Sequence, residues 1–115
     1  MDDCIFCRIV RGEIPARKVF EDDAVMVFHD IHPAAPVHLL AIPKVHLSTL
    51  AHAGPEHEAL LGRLLVVGVR LAQEEGCGDG FRTIINTGKV GRQEVYHLHV
   101  HFLGGAGILP PMLKY

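Results

Sequence analysis

In the stretch Gln93-Glu94-Val95-Tyr96-His97-Leu98-His99-Val100-His101-Phe102-Leu103-Gly104-Gly105, histidine recurs at every second position from 97 to 101, and a large apolar residue separates each from the next. Successive side chains of an extended strand point to opposite faces. His97, His99 and His101 therefore share one face, and Leu98, Val100 and Phe102 line the other. The apolar face reads as half of a core. The imidazole face reads as a site, because each buried imidazole needs hydrogen-bond partners and folding alone gives no reason to place three in register. The competing reading is an exposed polar face that happens to use histidine.

The rest of the chain sets the frame for that strand. Its 115 residues suffice for one domain, 1–115, with a real core. Half-apolar composition, 21% charged residues and a net charge of −2 describe an ordinary soluble protein. Lys and Arg are scattered, which argues against nucleic acid as a partner. No apolar run reaches the length of a membrane span, and the polar start Met1-Asp2-Asp3 is not a signal peptide, so a cytoplasmic location without membrane attachment is expected. Three cysteines make no disulfide framework; Cys4 and Cys7 form a Cys-x-x-Cys pair, which in a reducing compartment is more often metal-binding or redox-active than structural.

Taken in order, Ile5, Phe6, Ile9 and Val10 have helical spacing closed by Gly12. Val19 to Glu21 and Val25 to Asp30 flank Asp22-Asp23 as a hairpin. A stiff His32-Pro33-Ala34-Ala35-Pro36 loop leads to a strand over His38 to Ile42, ended by Pro43. Gly54-Pro55 opens one long helix with a broad apolar face, capped at Gly76. Phe81 to Asn86 reads as a strand, Gly88 to Gly91 as a loop, and Gly104 to Tyr115 as an irregular tail. The expected fold is α+β: an antiparallel sheet of about five strands, one long helix and a short N-terminal helix. Repeated strand-helix alternation and a Gly-x-Gly-x-x-Gly motif are both missing, which excludes the dinucleotide-binding alternative.

Three imidazoles on one face suit either a metal or a histidine nucleophile oriented by its neighbours. Asn86-Thr87-Gly88 and Gly91-Arg92-Gln93 supply neutral donors and glycines suited to phosphate oxygens. Phosphate beside imidazole points to phosphoryl or nucleotidyl transfer.

His97-Leu98-His99-Val100-His101-Phe102-Leu103 resembles the His-φ-His-φ-His-φ-φ motif of the histidine triad superfamily, and of its nucleotide-binding branch in particular. The resemblance runs through Phe20-Glu21-Asp22-Asp23, Phe28-His29-Asp30-Ile31, Ala35-Pro36-Val37-His38, Ile42-Pro43-Lys44, Asn86-Thr87-Gly88 and Gln93-Glu94-Val95-Tyr96. It implies a purine nucleoside phosphoramidase that works through a nucleotidyl-histidine intermediate. On that likeness His99 is the nucleophile; His101, Asn86 and Gln93 hold phosphate oxygens with backbone donors near Glu94. Asp30 accepts from the ribose hydroxyls, Ile31 packs against the base, and His97 and His38 orient the imidazoles and relay a proton. The chemistry itself requires no cofactor. Some relatives also bind zinc through two cysteines and two histidines, here Cys4, Cys7, His46 and His97; the other reading is buried thiols without metal. The Met112-Leu113 tail is expected at a twofold partner, giving a homodimer.

Two positions depart from the pattern. Arg92 stands where a second glycine is common, either as a solvent-facing side chain, the favoured reading, or as an extra cation near phosphate. Glu94 stands where some relatives have serine, and its carboxylate is expected to point away from phosphate. The remaining alternatives are a dinucleoside polyphosphate hydrolase, a nucleotide-binding regulator and a metal protein using His97, His99 and His101 together.

Overall fold

A computed structural model describes residues 3–114. Five antiparallel strands form one sheet in the order β1-β2-β3-β5-β4: β1 Lys18–Glu21, β2 Val25–His29, β3 Val37–Pro43, β4 Arg82–Ile84 and β5 Val100–Gly104. Helix α1, Ile5–Val10, precedes the sheet, and helix α2, Glu58–Glu74, connects β3 to β4. The α+β architecture expected from the sequence is the one found.

Alternation along each strand sorts the side chains into two cores. Val25, Val27, Leu39, Ala41, Val100 and Phe102 face α2 and meet Leu64, Val67, Leu71 and Ala72. Met26, Phe28, Leu40 and Ile42 face the other way and are covered by Phe6 of α1. His38 and His101 belong to this second face, because they alternate with residues of the first.

Several boundaries differ from the sequence reading. Residues 55–57 form a 3-10 turn ahead of α2, closed by the Gly54 N–H donating to His57 Nδ1 at 2.9 Å. The strand expected over Phe81 to Asn86 pairs only at Arg82–Ile84. The histidine stretch enters the sheet only at Val100. Continuing the β3–β5 register beyond Ala41↔Val100 would set Pro43 against Leu98, and Pro43 has no N–H to offer a ladder. The Leu98 N–H donates instead to Leu47 O at 2.7 Å. His97 and His99 thus lie just outside the ladder, although the inward–outward alternation persists: Leu98 joins the α2 core while His97 and His99 contact Phe6.

Candidate functional site

The imidazoles are held by backbone groups, and those contacts assign the tautomers. His99 Nδ1–H donates to the His97 carbonyl oxygen at 2.8 Å, so its Nε2 keeps the lone pair. His97 Nε2–H donates to Pro43 O at 2.8 Å, which leaves Nδ1 as its acceptor nitrogen. His38 Nδ1 accepts from the Ala34 N–H at 3.0 Å. The proton of His38 therefore sits on Nε2 and is donated to His101 Nδ1, 2.9 Å away. His101 must then carry its own proton on Nε2, a buried ring nitrogen with no partner among the described residues. One face thus presents an imidazole lone pair on His99 and an unspent N–H donor on His101.

Electrostatics agree with neutral rings. Burial pushes His101 down to about 4, helped by the neighbouring His99 and His38. Burial also lowers His97 and His38, opposed at His97 by the Pro43 hydrogen bond and at His38 by the Asp30 carboxylate. The Phe6 ring meets both His97 and His99 edge-on, with centroids 5.8 Å and 5.2 Å apart.

The other expected residues gather around this face to different degrees. Asp30 follows β2; its Oδ1 accepts from the His32 N–H at 2.8 Å, and its Oδ2 lies 3.5 Å from His38 Nε2. Ile31, next in the same turn, is an apolar side chain 79% exposed. Ile84 pairs with His101, and that register carried two residues further sets Asn86 opposite His99. Gln93 is buried and already engaged: Oε1 accepts from the Gly88 N–H at 2.9 Å, and Nε2 donates to Ser48 O at 2.7 Å and Val95 O at 3.0 Å. Glu94 and Arg92 are exposed.

Sequence reasoning passed over Phe6 and Pro43. Their roles, a ring beside two imidazoles and a carbonyl that fixes His97, depend on contacts across the chain and left no local signal.

A family model described as "Scavenger mRNA decapping enzyme C-term binding" matches residues 3–107. Protein HitA of Neisseria gonorrhoeae is 57% identical over 90% of this chain and 97% of its own length. The purine nucleoside phosphoramidase of Escherichia coli strain K12 is 46% identical over 99% of this chain and 96% of its own. A HIT family hydrolase from Legionella pneumophila superposes with a TM-score of 0.90 at 45% identity, covering 95% of this chain and 98% of that one.

The chain belongs to the histidine triad superfamily.

This histidine triad protein also brings together the four residues expected to hold zinc. Cys4, Cys7, His46 and His97 present ligand atoms that all lie within 4.8 Å of one another. His97 Nδ1 is 3.4 Å from Cys4 Sγ and 3.5 Å from Cys7 Sγ, and His46 Nδ1 is 3.3 Å from Cys7 Sγ. Tetrahedral zinc with ordinary Zn–S and Zn–N bonds sets neighbouring S and N ligands about 3.5 Å apart. The Pro43 carbonyl leaves His97 Nδ1 free to ligate, the supporting contact a metal-bound histidine requires. Two thiols and two imidazoles therefore fit a closed structural site. A zinc-bound histidine triad protein from Mycobacterium smegmatis, 36% identical, has the same fold with a TM-score of 0.77 over 89% of this chain and 74% of that one.

A second cluster of Asp30, His38 and His101 is as compact but fits a metal poorly. His38 Nε2 must carry a proton while Nδ1 accepts from Ala34, so its inward nitrogen is a donor. The reading in which His97, His99 and His101 bind one metal is corrected here: His97 turns to the cysteines and His101 to His38, and His99 joins neither cluster. The split follows from the ladder ending at Val100, which frees His97 to reach Pro43 and the thiols.

Proposed function

We propose that this protein hydrolyses purine nucleoside 5′-phosphoramidates, of the AMP-NH2, AMP-amine or aminoacyl adenylate type, and releases the nucleoside monophosphate. The observation that carries the reading is the His97 carbonyl held against His99 Nδ1, which commits the His99 Nε2 lone pair to attack. The Nε2–P bond forms as the P–N bond breaks; the amine leaves with a proton, and water then cleaves the nucleotidyl-histidine and restores the imidazole.

His101 Nε2–H and Asn86 donate to the phosphate oxygens as negative charge grows on them. Gln93 serves that end by holding the loop at Gly88, Ser48 and Val95, and the backbone beside Glu94 supplies a further donor. Asp30 takes the ribose hydroxyls and Ile31 the purine. His38, backed by Ala34, keeps the His101 proton on Nε2 and is the group left to pass a proton toward the amine, while His97, with both ring nitrogens engaged, orients His99 through its carbonyl. No cofactor takes part in bond-making. Cys4, Cys7, His46 and His97 would hold zinc, which would act as a structural clamp on the residue whose carbonyl orients His99.

A homodimer completes the reading, supported by three exposed features: the edge strand β4, Val66 of α2 at 70% exposure, and the apolar tail residues Met112 and Leu113. No helix among the described residues is long and apolar enough to cross a membrane.

The deciding experiment is acid-free quenching during turnover of adenosine 5′-phosphoramidate, followed by mass detection of an adenylyl adduct on His99. An adduct on another residue, or faster hydrolysis of diadenosine polyphosphate than of the phosphoramidate, would replace this reading.

A further inference from the structure

Cys4 and Cys7 are free thiols on one turn of the chain. The Cys7 N–H donates to Cys4 Sγ at 3.4 Å, and the Arg8 N–H to Cys4 O at 3.0 Å. A helical turn sets residues three apart with Cα atoms roughly 5 Å from one another, inside the range that a disulfide spans. The two thiols are not equally reachable. A cavity of about 490 Å³ is walled by Cys4 and His46 together with Ile5, Glu94 and Tyr96, whereas Cys7 and His97 are buried and take no part in its wall. One thiol therefore meets solvent and the other is shielded from it.

Both sulfurs also abut the residue that sets up His99. His97 Nδ1 lies 3.4 Å from Cys4 Sγ and 3.5 Å from Cys7 Sγ, its Nε2–H is engaged by Pro43 O, and its ring has no exposure to solvent. A sulfur in a disulfide has no proton to donate, and it is no longer the thiolate that ligates a metal. Joining Cys4 to Cys7 therefore strips His97 Nδ1 of its two sulfur partners and of a metal shared with them. A buried ring nitrogen left without a partner is unfavourable enough to drive the ring to a new position. The carbonyl of the same residue accepts the His99 Nδ1–H at 2.8 Å, so a shift of His97 reaches the nucleophile. Phe6 supplies a second route, because it stands between the two cysteines in sequence and meets the His99 ring edge-on at 5.2 Å.

We infer that Cys4 and Cys7 form a reversible modification site, a peroxide-driven disulfide that releases zinc and loosens the hold on His99. The Cys4 sulfur attacks one oxygen of hydrogen peroxide; the S–O bond forms as the O–O bond breaks, and hydroxide leaves as water with a proton. The Cys7 sulfur then attacks Cys4; the S–S bond forms, the S–O bond breaks, and a second water leaves. The two sulfurs together lose two electrons and the peroxide oxygens gain them. The two protons come from the thiols, or from solvent where thiolates held zinc. The inference rests on the phosphoramidase reading only where it names His99 turnover as the activity that falls; the disulfide and the rearrangement of His97 stand apart from that reading.

Untagged protein loaded with zinc and treated with hydrogen peroxide beside a chromogenic zinc chelator tests it. Digestion without reduction should yield a peptide holding Cys4 and Cys7 that is lighter by two hydrogens, with zinc released in step. Hydrolysis of adenosine 5′-phosphoramidate should fall roughly tenfold or more, and dithiothreitol with zinc should restore it. Imidazole nitrogen–proton spectra should show the His97 and His99 Nδ1 signals moving on oxidation. In Cys7→Ser, peroxide should instead leave a sulfenic acid on Cys4 that dimedone traps. Cys4 and Cys7 thiols that survive excess peroxide, or a disulfide made through Cys77 instead, would overturn the inference. So would unchanged His97 and His99 signals once the Cys4–Cys7 disulfide has formed, and so would zinc that never loads or that stays on the oxidised protein. Reduced protein that never cleaves the phosphoramidate overturns the phosphoramidase reading, and the disulfide, zinc and imidazole measurements then still decide this inference.

Discussion

The carbonyl oxygen of His97 accepts the Nδ1 proton of His99 at 2.8 Å, and the ring of the same His97 lies among Cys4, Cys7 and His46. One residue therefore orients the candidate nucleophile through its backbone and joins the candidate metal site through its side chain.

If His99 Nε2 makes the bond to phosphorus, His99→Ala and His99→Asn should lose turnover by roughly four orders of magnitude or more. Binding of AMP, followed by calorimetry, should survive because Asp30, Ile31 and His101 are untouched. Hydrolysis at wild-type rates in either variant would remove His99 from the mechanism.

Zinc should accompany the protein when it is purified without a histidine tag, and metal analysis by mass spectrometry would measure it. Cys4→Ser should lose the metal and melt at least ~5 °C lower, because an emptied site leaves the buried Cys7 and His97 with poorer partners. Absence of zinc together with an unaltered melting temperature in Cys4→Ser would leave the cluster as packed thiols only.

Acid should destabilise the fold in two stages. His101 drops from 6.5 to about 4 on folding, so the unfolded chain binds the proton more readily between those values. Its contribution is complete above pH 6.5 and is lost as pH falls toward 4. Asp22 drops from 3.8 to about 2, chiefly through the Val25 N–H, and its contribution disappears as pH falls from 3.8 toward 2. Equilibrium denaturation between pH 8 and pH 3 should show stability falling already below pH 6.5. His101→Asn should flatten that upper stage, and a pH-independent plateau down to pH 4 in the wild type would contradict the neutral imidazole.

Packing between α2 and β5 allows no side chain at Gly68. A Cβ there would sit 2.2 Å from the Phe102 ring, which is itself fully buried. Gly68→Ala should cost about 1–3 kcal/mol despite the higher helix propensity of alanine. Denaturant titration would measure it, and adding Phe102→Leu should recover part of the loss. A Gly68→Ala variant as stable as the wild type would mean that the ring can move aside.

Much of this protein is written locally. The alternation of His97, His99 and His101 with Leu98, Val100 and Phe102 states which side chains face α2 and which face the site, because strand geometry leaves two directions. Helical spacing and turn residues likewise mark α1, the β1–β2 hairpin and α2. The order of motifs around the triad carries the superfamily.

Long-range contacts decided the rest. Pairing of the triad strand stops at Val100 because Pro43, far earlier in the chain, has no N–H for the ladder, and no local pattern at Tyr96 or His97 announces that. The three imidazoles are thereby made unequal, since His97 bonds the Pro43 carbonyl and faces two N-terminal cysteines, while His101 receives the proton of His38. Gln93, whose type suits phosphate, has its amide engaged by three backbone groups. Residue type and spacing determined which groups could meet; the tautomer each imidazole holds was set by carbonyl and N–H groups brought to it from elsewhere in the fold.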